Sequence, residues 1–152
     1  MKEPQSKFGL SDCLEIERSC IGSNVRRAER VISQVFDTAL RPTGIKGTQF
    51  SLLVTIRAMQ PATISRIADR IAMDRTTLTR NLDVLVASGL VATARGEDLR
   101  ERVVTITDEG ETSLAAALPI WKATQERLTS KAGKQSMASL IEGLKKIASV
   151  AG

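Results

Sequence analysis

Between Thr63 and Thr107 the chain reads as helix, short turn, helix and β-hairpin, an order that few folds accept in so short a span. The first helix is TISRIADRIA, with Ile64, Ile67, Ala68 and Ile71 apolar at helical spacing. Met73-Asp74 makes the turn, and the second helix, RTTLTRNLDVLVAS, is ended by Gly89. The hairpin is VATARGEDLRERVVTIT, with arginine at its tip. Two helices joined by a tight turn can set the second one in the DNA major groove. An arginine-tipped hairpin beside it can then reach the backbone or the minor groove. The order predicts a winged helix-turn-helix: mainly α with a small β-wing.

At 152 residues the chain is one domain's worth, with room for a smaller appendage. Its one Trp, three Phe and absence of Tyr leave a core of Leu, Ile, Val and Ala, which suits helices better than a large sheet. The net charge of +5 favours a polyanionic partner only mildly. Residues 63–107 hold seven arginines against six acids, so arrangement rather than net charge points to nucleic acid. From Gly47 to Trp121 every basic residue is Arg, whose planar fork suits guanine edges and phosphates; ordinary arginine usage would look the same.

Helical periodicity extends on both sides of this segment. Residues 11–40 place Ile21, Val25, Ala28, Ile32, Val35 and Phe36 on one face, weakened locally at Gly22 and broken by Arg41-Pro42-Thr43-Gly44. A helix over 46–59 carries Phe50, Leu53, Val54 and Ile56. Thr63 and Thr107 are expected N-caps. Beyond Thr107, Leu114, Leu118, Trp121, Gln125 and Leu128 form a heptad-like seam, in which Pro119 should mark a kink. After Gly133 a last helix aligns Met137, Leu140, Ile141, Leu144, Ile147 and Ala148. These terminal stripes are buried either within one chain or between two. The expected divisions are an N-terminal arm and dimerisation helix over 1–40, a DNA-binding lobe over 41–107, and C-terminal dimerisation helices over 108–152.

On a helical projection of RTTLTRNLDVLVAS, Leu78, Leu82, Leu85 and Val86 fall together as the anchoring side. Thr76, Thr77, Arg80 and Asp83 fall opposite, with Arg75 at the exposed first turn and Asp74 placed as N-cap. Arg80 and Thr76 are the candidates for base edges, and Arg75 and Thr77 for bases or phosphates. A solvated helix face is the plain alternative for Arg80, and simple helix-start residues for the threonines. Ser65 and Arg66 are candidate backbone contacts. Arg95 and Arg102 in the hairpin are phosphate contacts or salt-bridge partners of Glu97 and Glu101.

Cys13 and Cys20 lie seven residues apart, about 10.5 Å along one continuous helix and beyond the roughly 7 Å reach of a disulfide. Pairing across subunits, or each thiol acting alone, stays open beside the plain reading of small residues at the edge of a stripe. With no His in the chain, His-containing zinc sites and Ser-His or Cys-His catalysis are excluded, and no glycine-rich phosphate loop occurs. No enzyme, cofactor or metal is expected. MKEPQSKFGL is polar, and no run of about 18 apolar residues follows, so a soluble, cytoplasmic protein without a membrane partner is expected.

Several of these features, taken in order, resemble the MarR family of bacterial transcriptional regulators over nearly the whole chain. They are Gly44-Ile45, Gln49-Phe50, Ile67-Ala68, Met73 through Arg80, Gly89-Leu90-Val91, Asp98-Leu99-Arg100, Ile106-Thr107 and Gly110. The hairpin matches the family's Asp-x-Arg, five residues, then Leu-Thr, with Ile106 in place of Leu. The resemblance implies a homodimer with interlocked terminal helices, repression or less often activation at palindromic operators, and a small-molecule effector bound between the dimerisation helices and the DNA-binding lobe. It puts Arg100 in the minor groove or on adjacent phosphates, with Asp98 aligning it. By family position, Phe36, Phe50 and Arg57 are weak pocket candidates. The competing readings are a winged-helix module for protein–protein contact and a thiol redox regulator acting through Cys13 or Cys20. Relatives that sense peroxide use an N-terminal-helix cysteine activated by tyrosines, and this chain has no Tyr.

Overall fold

A computed structural model describes residues 8–96, 98 and 101–151. Its contacts divide the chain into two compact units, Met1–Val35 and Phe36–Gly152.

The first unit holds α1 (Leu10–Ser19) and most of α2 (Ile21–Leu40). The expected single helix is therefore interrupted, and the break falls at Cys20, whose backbone is extended at φ −67°, ψ 108°. Asn24 accounts for the geometry. Its side-chain amide donates to the carbonyls of Arg18 and Cys20, at 3.2 and 3.0 Å, so it occupies the Arg18 carbonyl across the break, while the Cys20 carbonyl also accepts the Asn24 N–H at 3.1 Å as the first bond of α2. The distance expected between Cys13 and Cys20 along one helix consequently does not apply.

The second unit begins with the end of α2 and a 3₁₀ turn, Arg41–Thr43, followed by α3 (Gly47–Met59). Then come β1 (Ala62–Thr63), α4 (Ile64–Ile71), α5 (Arg75–Ala87), β2 (Val91–Arg95), β3 (Arg102–Ile106), α6 (Asp108–Ala132) and α7 (Lys134–Ala151). The strands form an antiparallel sheet in the order β1-β3-β2. Val91 pairs with Ile106 and Arg95 with Arg102, while Ala62 pairs with Val104. Sequence periodicity does not reveal β1, because two residues carry no period. It exists through pairing with a strand forty residues on. Gln60 extends that edge by accepting the Ile106 N–H at 2.8 Å.

Leu53, Ile56, Ile67, Leu78, Leu82, Leu85 and Val104 form the fully buried centre, with Phe50 stacked on Trp121 at a ring separation of 6.0 Å. Burying each such aliphatic side chain is worth about 1.5–3 kcal/mol. α6 runs unbroken through Pro119. The carbonyl that Pro119 leaves without an amide partner is that of Ala115, which is exposed and can turn to solvent. The expected α6 seam is only partly covered, and Leu118 is exposed. The buried line runs one position earlier, through Gly110, Ala117 and Thr124.

The junction of β3 and α6 explains Gly110. Thr107 caps α6 by accepting the Gly110 N–H, while its hydroxyl donates to the Gly89 carbonyl at 2.6 Å and its N–H donates to the Leu90 carbonyl. A Cβ on Gly110 would lie 2.2 Å from the Leu90 oxygen, so no larger residue fits without displacing this junction. Gly89 ends α5 at φ +72°, in the left-handed region that glycine adopts without steric cost. Among the described residues no helix is long and apolar enough to cross a membrane.

Candidate nucleic-acid interface

The turn between α4 and α5 sets up the site. Ala72 closes α4 in the left-handed conformation, φ 51°, and the Met73 N–H donates back to the Ala68 carbonyl. Asp74 then caps α5, accepting the Thr77 N–H at 2.8 Å. Hydrogen bonds from the Thr77 side chain and backbone hold the Asp74 carboxyl below its ordinary range. The cap is local chemistry, and it begins α5 at Arg75 as the sequence predicts.

One side of α5 is locked into the core by Leu78, Leu82 and Leu85. Val86, expected with them, is 39% exposed and is not buried as the three leucines are. It lies past the edge of the stripe on the Arg75 side, where the core covers it only in part. Opposite the anchor, Thr76, Thr77 and Arg80 are exposed and share the outward face. Asp83 and Val84 continue the same face one turn further on, with Val84 53% exposed. An exposed β-branched residue on the outward side of the second helix is the signal that sequence reading passed over.

Beside this face lies a cleft of about 200 Å³ lined by Thr63, Ile64, Ser65, Arg75, Thr79, Glu101 and Arg102. Three of the expected site residues, Ser65, Arg75 and Arg102, thus converge from α4, α5 and β3. Thr79 joins the lining with no sequence signal of its own, and Glu101, expected only as a salt-bridge partner, joins it too. Their place depends on the approach of three elements, which no local pattern encodes. The Thr79 hydroxyl is committed to the Arg75 carbonyl at 2.7 Å, leaving its oxygen as an acceptor only. Arg66 is exposed on α4 and does not line the cleft.

The hairpin places Arg95 directly opposite Arg102. Like charges across a strand pair are unfavourable, and an anion between them would relieve the repulsion. Neither arginine forms an ion pair with Glu101; Arg102 instead donates to Thr93 Oγ1 at 2.9 Å. Asp98 is exposed at the tip. Arg100, expected beside it, lies outside the described residues, as does Glu97.

The expected pocket residues do not line this cleft. Phe50 is a core residue against Trp121, Arg57 pairs with Glu111 at the surface, and Phe36 is half-buried. Among the described residues, no group of three or more His, Cys, Asp or Glu side chains is placed to hold a metal ion. Both cysteines are free thiols. A hydrogen bond with the Ser23 side chain is the main cause holding the Cys20 thiol below its ordinary value, with the Arg26 charge a smaller one.

Residues 43–101, from the end of the 3₁₀ turn through β2 and stopping just before β3, match a MarR family model. The helix-turn-helix-type transcriptional regulator YwoH of Bacillus subtilis is 31% identical over 87 residues, 57% of this chain. A regulator of the same type from Bacillus cereus is 28% identical over 87 residues. The matched stretch spans 64% and 58% of those two relatives' lengths. Among solved structures, the Mycobacterium tuberculosis transcriptional regulator MosR in complex with DNA is 37% identical with a TM-score of 0.72, covering 84% of this chain and 98% of that one. The transcriptional repressor CouR bound to a DNA duplex is 26% identical with a TM-score of 0.79, covering 94% and 99%. Escherichia coli MarR, as a cysteine-to-serine mutant with operator DNA, is 25% identical with a TM-score of 0.79, covering 88% and 97%. By its helix-turn-helix and wing, its family match and its likeness to MosR along nearly all of that chain, this protein belongs to the MarR family of transcriptional regulators, which are not enzymes.

Proposed function

We propose that this chain is a sequence-specific repressor that binds double-stranded DNA as a homodimer on a palindromic operator and is released by a small-molecule effector. The observation that carries the reading is the joint exposure of Arg80 and Thr76 on the outer face of α5, next to a cleft that gathers Ser65, Arg75 and Arg102. Arg80 and Thr76 read base edges, a good bidentate arginine contact being worth about 1–3 kcal/mol of discrimination. Arg75 and Arg102, with the Ser65 hydroxyl, hold the backbone, and Thr77 and Arg66 add contacts on either side. Arg100 reaches the minor groove or its phosphates, aligned by Asp98. MosR, CouR and E. coli MarR, all similar to this chain, are DNA-bound in their structures, and CouR is a repressor.

Homodimerisation is supported by α7, which leaves Leu140, Ile141, Leu144 and Ile147 between 41% and 49% exposed, and by Ile21, Val25 and Ile32 of α2, also exposed. A second copy covers such faces and presents two recognition helices roughly 34–36 Å apart, one helical turn of DNA. An effector relieves repression only if it binds the free dimer more tightly than the DNA-bound one, shifting the population toward a spacing that misses the half-sites.

Selection from a random duplex pool, with sedimentation of the same protein, tests this reading. A palindromic winner bound by two chains is expected. A folded protein that enriches no sequence, or whose weak DNA binding ignores salt, would instead support a winged-helix module for protein contact.

A further inference from the structure

The outward face of α5 carries one residue whose charge opposes the proposed partner. Asp83 is exposed on the same face as Thr76 and Arg80, three residues beyond Arg80. Among the described residues it has no hydrogen bond and no ion pair; in particular it does not pair with Arg80. A free carboxylate turned toward a polyanion weakens binding to every sequence unless its oxygens accept from a donor on the DNA. The major groove supplies such donors only as the exocyclic amines of cytosine and adenine. Arg80 and Asp83 are separated by about 4.5 Å along the helix axis, close to one base step of about 3.4 Å.

Resting on the DNA-binding reading above, we propose that Asp83 is a specificity-determining residue that accepts a hydrogen bond from a cytosine N4 amine, one base step from the position read by Arg80. An acceptor-only carboxylate matches cytosine, whose major-groove edge offers the N4 donor alone. Adenine places an acceptor, N7, beside its amine, which suits the mixed donor and acceptor of Asn or Gln. Asp83 therefore sacrifices general affinity to exclude bases that present only acceptors at that position, guanine above all. Val84, adjacent and exposed, lines the same stretch of groove with apolar surface.

Selection from a random duplex pool with the full-length wild type, Asp83→Ala and Asp83→Asn tests the assignment. Asp83 lies outside the core, and circular dichroism of each variant checks that it folds. The wild type is expected to enrich cytosine at one position in each half-site. Asp83→Ala is expected to lose that preference, on the order of tenfold, with the other positions unchanged. Asp83→Asn is expected to shift the preference toward adenine. If Asp83→Ala binds more tightly with an unchanged motif, the carboxylate only repels and the proposal is overturned. An unchanged motif at unchanged affinity puts Asp83 outside the footprint and overturns it equally. A wild-type pool with no enrichment overturns the DNA-binding reading itself, and this proposal with it, which separates the two failures.

Discussion

α5 and α7 carry the same kind of apolar stripe and meet different fates. In α5 the stripe of Leu78, Leu82 and Leu85 is at most 2% exposed, covered by the chain's own core. In α7, Leu140, Ile141, Leu144 and Ile147 keep 41–49% of their surface open. Period 3.6 defines a face in both helices but does not say what covers it. The polar faces divide in the opposite way. That of α5 is ordered by a cap at Asp74 and flanked by a cleft bearing two arginines, whereas that of α7 is a solvated surface with Lys145 and Lys146. The contrast separates a helix whose apolar side is locked in the core from one whose apolar side stays open, the difference on which the proposed reading and pairing faces rest.

Substitutions sharpen the contrast in order of size. Leu82→Ala removes a fully buried side chain and should cost about 2–5 kcal/mol of stability in urea unfolding. Gly110→Ala drives a methyl against the Leu90 carbonyl and should cost about 1–3 kcal/mol, through displacement of the junction between wing and α6. Leu144→Glu should leave helicity intact while moving sedimentation from dimer to monomer. A Leu144→Glu protein that is still dimeric would remove α7 from the proposed interface.

The smallest effect is one of pH. Because the Asp74 carboxyl is held below its ordinary range, its contribution to stability is fully present above that range and is lost as pH falls through the lowered value. Asp74→Asn should flatten that acid limb of the stability profile and leave the neutral plateau little changed. A limb identical in both proteins would show that the cap does not titrate as described.

Much of this was legible in the sequence because the punctuation is local. Thr63, Asp74, Gly89 and Thr107 each end or begin an element through bonds to residues three or four positions away, apart from the Thr107 hydroxyl and N–H, which reach back to Gly89 and Leu90. The outward set of Thr76, Thr77 and Arg80 followed from the same helical arithmetic. What escaped depends on distant or competing partners. β1 exists only because β3 arrives beside it. The break at Cys20 is bridged by the Asn24 side chain, which occupies the Arg18 carbonyl from six residues away. The cleft needs α4, α5 and β3 to approach together, so Thr79 and Glu101 carried no local sign of their place in it. Val86 was grouped with the anchor because a projection shows direction, while burial depends on whether anything packs there.

The central claim is that the outer face of α5 reads bases while the adjacent cleft holds the backbone. Titrating the selected duplex and a scrambled one over a range of salt, with wild type, Arg80→Ala and Arg75→Ala, tests it most directly. The account predicts that Arg80→Ala loses discrimination between the duplexes with its salt slope nearly kept. Arg75→Ala should weaken binding to both and lower the slope by about one. Unchanged discrimination in Arg80→Ala would contradict the account.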